Sequence, residues 1–211
     1  MIVFVSPGIL EMPLSNYGGI EKVIQSLSKG FRLSGLETKI LSPLGVKETN
    51  NHEYHHCDKA SFIEDVREFL YQNKAMIQCV FLNHVNQRPL LNDIKRLQLQ
   101  YFEIGHCRNF ASNKNRIYPS RALRMMAPTA YRSYIISHPI DFSEHKRVTK
   151  PNFQLDLPDK FISTTSRIYP YKRTDLAVEY AKMLGLPLVV AGPQLTDADK
   201  AYAAKFIDRT I

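Results

Sequence analysis

Arg167 and Lys172 lie in the stretch Ser166-Arg167-Ile168-Tyr169-Pro170-Tyr171-Lys172-Arg173. Arginine offers a planar fork of donors, and lysine a compact charge. Together they suit a diphosphate that gains charge as it leaves. The same two residues also read as ordinary exposed bases on a loop. Tyr17-Gly18-Gly19 is a second candidate. Glycines ahead of a helix let backbone N–H groups approach an anion, and a plain turn uses the same pair. His84 and His106 each follow an apolar run. A histidine there can contact a substrate hydroxyl, although structural histidines are the commoner case. His52, His55, His56 and Cys57 are zinc-ligand types, but their spacing matches no standard site and no second ligand pair follows. No metal is expected.

These residues need elements to hold them. Ile2, Val3, Phe4 and Val5 form a short apolar run suited to a buried first strand. Ile20, Val23, Ile24, Leu27 and Phe31 recur at helical spacing. A second strand is expected over 38–41, a polar loop over 50–58 and a third strand over 76–82. Ser61 and Glu64 read as a capping box for a helix carrying Phe62, Val66, Phe69 and Leu70. Pro89 suits the first turn of a helix with Leu90, Leu91, Ile94 and Leu97. A fourth strand is expected over 99–104. Residues 110–134 show no clear period, although Ser120 is placed to cap a short helix. Strands alternating with helices predict an α/β protein with a parallel sheet.

The pattern restarts after a proline-bearing stretch, Pro139 to Pro158. A strand is expected over 161–165, then the Arg167 loop. A helix capped by Thr174 and stopped by Gly185 follows. A strand over 188–191 leads to a last helix through Tyr202, Ala203, Phe206 and Ile207. Two strands and two helices are few for a doubly wound unit.

The chain has 211 residues, of which 44% are hydrophobic and 23% charged, enough apolar material for a core and too much for disorder. Its apolar runs fall short of the roughly 20 residues of a membrane span. Its first residues carry no positive charge ahead of the apolar run, so no signal peptide is expected. Cys57, Cys79 and Cys107 cannot all pair, which fits a reducing cytoplasm. The net charge of +8 favours anionic partners. No Asp or Glu lies between Ile104 and Ile140, where Arg108, Lys114, Arg116, Arg121, Arg124 and Arg132 do. That reads either as a solvated face or as a surface for anionic lipid or a phosphorylated acceptor. No nucleic-acid partner is expected, because no recognition signature or stacking platform is present.

Taken in order, these features resemble the GT-B fold glycosyltransferases of family GT4. The family's first domain opens with a strand, a proline-bearing loop and YGGxE, here Tyr17-Gly18-Gly19-Ile20-Glu21. Its second domain opens with a strand, a [GS]R[LI]xPxK[GR] loop and a helix, here SRIYPYKRTDLAVEYAKMLGLPLVVAGP from Ser166 to Pro193. Ser137-His138-Pro139-Ile140-Asp141-Phe142 is similar to the family segment that precedes the linker.

The resemblance implies a Rossmann-like parallel sheet at 1–141 on the acceptor side. It implies a linker at 142–158 and an incomplete second Rossmann-like domain at 159–211. It implies retaining transfer of a sugar from a GDP- or UDP-sugar to a glycan or lipid-linked acceptor, without metal or cofactor. The SRxxPYKRxDLA variant is most similar to mannosyltransferases of bacterial surface polysaccharide assembly. By resemblance Gly18, Gly19, Arg167 and Lys172 bind the donor, and His106 is the catalytic histidine near the reacting sugar; His84 is the lesser candidate. The implied location is the cytoplasm, at the inner face of the membrane. The family also carries two Glu residues further along the second domain, past the position of Ile211. The expectation is therefore a second domain completed by another chain, or a chain that is a truncated form of a longer protein. The alternative is a non-catalytic module that binds an anionic acceptor or a membrane surface. A Rossmann protein of another type is disfavoured, since GxGxxG is absent.

Overall fold

Val3 and Val5 point into one core and Ile2 and Phe4 into another, on opposite sides of the strand Ile2–Val5 (β1). Successive side chains of a strand face opposite ways, so a strand covered on both faces must be apolar throughout. The computed structural model describes residues 1–14, 18–43, 53–106, 115–126, 132–141, 143 and 159–206. The chain divides into two compact units, Met1–His145 and Lys146–Ile211.

In the first unit β1 is joined by Thr38–Ser42 (β2), Tyr54–His56 (β3), Cys79–Leu82 (β4), Tyr101–Ile104 (β5), Arg116–Tyr118 (β6) and Ser133–Ile135 (β7). Their order is β3-β2-β1-β4-β5-β6-β7, and every pairing is parallel. Helix Gly19–Leu33 (α1) covers the Ile2 and Phe4 face with Ile20, Ile24, Leu27 and Phe31. Helices Phe62–Gln72 (α2) and Leu90–Arg96 (α3) cover the other face with Phe62, Val66, Phe69, Leu70, Leu90, Leu91 and Ile94. The result is a three-layer, Rossmann-like α/β unit. Phe4, Phe81 and Phe102 are register partners on β1, β4 and β5, and their rings stack at 5.0 and 5.6 Å between centroids. Such a ladder pins register, because a one-residue slip would turn all three rings to the wrong face. The strand order reverses between β1 and β4. In open parallel sheets the ligand crevice lies outside the carboxyl ends of the strands at that switch point.

Several expectations are corrected. The stretch 50–58 is not all loop, since its residues 54–56 add the outer strand β3. The third apolar run starts later than expected: Lys74–Met76 is a 3-10 turn and β4 begins at Cys79. Ser61 makes no cap bond; its hydroxyl donates to Asp65 Oδ1 at 2.9 Å, while Asp65 Oδ2 accepts the Asp58 N–H. Residues 110–134 include β6, the start of β7 and the helix Arg121–Met126 (α4), which Ser120 does cap through the Leu123 N–H. Most of the expected linker, 142–158, lies outside the described residues.

In the second unit Ile162–Thr165 (β8) and Leu188–Ala191 (β9) pair in parallel, from Ile162 with Leu188 to Thr165 with Ala191. Helix Thr174–Leu184 (α5) packs on both strands and ends at Gly185, whose φ of 62° is the left-handed cap glycine favours. Thr174 is the first helical residue and not the cap; Arg173 precedes it with φ 55°. The last helix, Asp197–Ala203 (α6), is shorter than expected, and its cap is Thr196, whose hydroxyl accepts the Asp199 N–H. Phe206 falls in the turn after it, and Ile207 lies outside the described residues.

Candidate functional site

The loop after β1 delivers the chain to α1. Gly18 is buried there, and a Cβ on it would lie 2.6 Å from Leu14 Cδ1. Gly19 is exposed, with open space where a side chain would go. Glu21 sits in the first turn of α1, buried, and burial pushes its carboxyl up from the usual range. An ionised Glu21 would compete with any anion for the positive end of the helix. Tyr17 lies outside the described residues.

At the switch point Asn83 and Gln87 tie the ends of β1 and β4 together. Asn83 Nδ2 donates to the Val5 carbonyl at 3.1 Å and to that of Phe81 at 3.2 Å. Gln87 Nε2 donates to the carbonyls of Val5 and Ser6, and its Oε1 accepts the backbone N–H of Asn83 and of His84. Both side chains are fully buried. They satisfy the carbonyls that emerge where the sheet ends, which would otherwise be costly to bury.

His106 leaves the end of β5 beside this pair. Its Nε2 lies 3.4 Å from Asn83 Oδ1, and its Nδ1 lies 3.4 Å from Nε2 of His138. The two imidazoles stack with centroids 5.0 Å apart. Burial, then the neighbouring His138 and His84, hold His106 down at about 4. Burial also lowers His84 and His138. His106 is therefore neutral at pH 7, and burial favours the neutral ring in the other two. Across β5 and β6, Glu103 and Arg116 form a buried ion pair at 3.0 Å, and Arg116 also donates to the Tyr118 hydroxyl. Arg116 thus belongs to the core and not to the basic surface expected of 104–140.

The described members of the zinc-type cluster are engaged elsewhere in the fold. His55 packs on the Phe69 ring, Cys57 is buried with its thiol pushed up to about 12, and His52 lies outside the described residues. Among the described residues no group of three or more His, Cys, Asp or Glu is arranged to hold a metal ion.

In the second unit the Arg167 loop runs from the end of β8 into α5. Arg167 grips Asp199 of α6 by two parallel bonds, Nε to Oδ2 at 2.9 Å and Nη2 to Oδ1 at 3.2 Å, and lies over the Tyr169 ring. Asp199 is fully buried and also accepts the Leu195 N–H. The Arg167 guanidinium is the main reason its carboxyl is held at about 2. Lys172 ends the 3-10 turn Pro170–Lys172 and is exposed. Gly192 follows β9 and lies against this loop: a Cβ there would stand 1.7 Å from the Ser166 carbonyl oxygen.

Each unit thus places its own candidates at the carboxyl ends of its parallel strands. Gly18, Gly19 and His106 belong to the first unit, and Arg167 and Lys172 to the second. Sequence reasoning did not single out Asn83, Gln87 or Asp199. No family model matches this sequence, and no curated protein matches it either.

Proposed function

We propose that the chain is a glycosyltransferase-like protein of the GT-B, GT4 type that takes a nucleotide sugar as donor and a glycan or lipid-linked acceptor. The observation that carries this reading is the loop of Arg167 and Lys172. It lies at the carboxyl end of the first strand of its unit and is followed by α5, where an anionic ligand is received in parallel α/β folds. The bidentate hold of Asp199 fixes the guanidinium plane, and Gly192 lets the turn after β9 close against the loop. Gly18 and Gly19 fit the acceptor or donor side of the first unit. Glu21 beside them favours a hydroxyl-bearing group over a second phosphate.

Calorimetry with GDP and UDP tests this. Charge-assisted bonds to phosphate are worth about 1.5–3 kcal/mol, so Arg167→Ala or Lys172→Ala should weaken binding by about 10- to 100-fold. Binding that survives both substitutions unchanged would show that the site is elsewhere.

A second reading, a module that docks on an anionic membrane, is favoured by one patch. Met125 and Met126 are 85% and 57% exposed on α4, beside Arg121 and Arg124, and Ile135 and Ile136 are exposed at and just after β7 beside Arg132. Apolar side chains among arginines, in a stretch of sequence without acids, suit a headgroup layer. Among the described residues no helix is long and apolar enough to cross a membrane. Sedimentation with anionic and with neutral vesicles should show binding to the anionic ones alone, fading as salt rises. Equal binding to both kinds would count against it.

A further inference from the structure

The hydrogen-bonding of Asn83 dictates which nitrogens of its histidine neighbours carry protons. Its Nδ2 faces two backbone carbonyls, those of Val5 and Phe81. Carbonyls only accept, so the amide cannot be turned over and Oδ1 is the atom that meets His106. Oδ1 accepts as well, so Nε2 of His106 carries the hydrogen in that contact. A neutral imidazole has one N–H. The Nδ1 of His106 is therefore a lone pair, and the 3.4 Å contact to His138 is made by an N–H on His138 Nε2. Both nitrogens of His106 are then occupied. In its neutral form, which burial favours, His138 is left with a bare Nδ1 on an exposed ring, and no described residue bonds to it. The 3.4 Å contacts are long, as is common in sites that tighten only around a ligand.

We propose that Asn83 and His106 are positioning residues for His138, and that His138 Nδ1 accepts a hydrogen bond from a hydroxyl of a bound sugar or alcohol. The ligand class follows from the tautomers. A bare lone pair takes a donor and repels an anion. That the hydroxyl belongs to a sugar rests on the transferase reading; the tautomers do not depend on it.

Long-range 15N–1H NMR of the full chain at pH 7.5 reads tautomers directly. Both His106 and His138 should show Nε2 protonated and Nδ1 bare. An Nδ1-protonated His106, or fast averaging of its two tautomers, overturns the chain. The groups that act electrostatically on His106 are His84 and His138. Asn83→Asp places a carboxylate on His106 Nε2 and should raise the titration point of His106; an unchanged titration also overturns the chain. Methyl α-mannopyranoside, added to high millimolar concentration, should move the His138 Nδ1 resonance upfield more than any nitrogen of His84 or His106. It should not bind His138→Phe. A shift centred on His106, or none, overturns the role of His138. Nucleotide binding at Arg167 and Lys172 is measured separately, so failure of the donor reading and failure of this chain are distinguishable.

Discussion

Glu103 and Arg116 face each other in register across β5 and β6, and their side chains are almost wholly withdrawn from water. Two charges this deep are strongly interdependent. Removing one strands the other, at about 3–5 kcal/mol, whereas replacing both with apolar residues of similar volume is often neutral. Glu103→Ala should therefore cost the first unit about 3–5 kcal/mol in urea denaturation. Glu103→Leu combined with Arg116→Met should cost far less. Equal losses in the single and double variants would mean that the pair is not coupled as the geometry implies.

His106 makes the first unit sensitive to acid. Its folded-state value of about 4 lies below the ordinary value of 6.5. The unfolded chain therefore binds the proton more readily between those values. Stability from this group is complete above about pH 6.5 and declines as pH falls towards 4, by at most a few kcal/mol. His106→Phe should flatten that part of the stability profile. A profile of unchanged slope between pH 4 and 6.5 would show that His106 is not the group responsible.

Gly192 has no room for a side chain. Its missing Cβ would stand 1.7 Å from the Ser166 carbonyl oxygen, which is backbone and cannot rotate aside. Gly192→Ala should loosen the Arg167 loop and cost about 1–3 kcal/mol, the range of overpacking. Amide exchange near Ser166 and Arg167 should quicken. Gly19→Ala, where nothing lies within 4 Å, is the control and should be mild.

The described cysteines should be inert. Burial pushes Cys57 up to about 12 and Cys79 up to about 11. At pH 8 roughly one Cys57 thiol in 10,000 is the reactive thiolate. Peptide mass spectrometry after brief iodoacetamide treatment should find both unmodified in the native chain and both modified in urea. Rapid native labelling of Cys57 would contradict the packing beneath α2.

What was legible in the sequence is what hydrophobic period encodes. β1 was readable because it is apolar on both faces, and α1 because Ile20, Ile24, Leu27 and Phe31 fall on one stripe. β3 was not, because Tyr54, His55 and His56 form an outer strand with little apolar signal. The Ser61 capping box failed for a local reason: the hydroxyl is turned to donate to Asp65, and its oxygen accepts no N–H of the first turn. Loop positions of Gly18, Arg167 and Lys172 were readable as strand-to-helix junctions, and that of His106 as a strand end. Their partners were not. Asp199 reaches Arg167 across 32 residues and Asn83 reaches His106 across 23, and pairings of that span are set by topology and not by neighbouring residues. His138 was visible as a letter in a motif, yet its stacking on His106 required the fold.

The seven-stranded sheet has one more property of practical weight. Its outermost members, β3 and β7, are only three residues long. An open border of unpaired backbone groups is a template on which a second molecule can add a strand, and short borders are one way proteins discourage it. Among the described residues, a neighbour arriving at β3 or β7 would find a ladder of three residues. The long, apolar strands most able to recruit one lie inside, between their own partners. Lengthening β7 by a few β-branched residues would remove that safeguard and invite fibrous self-association.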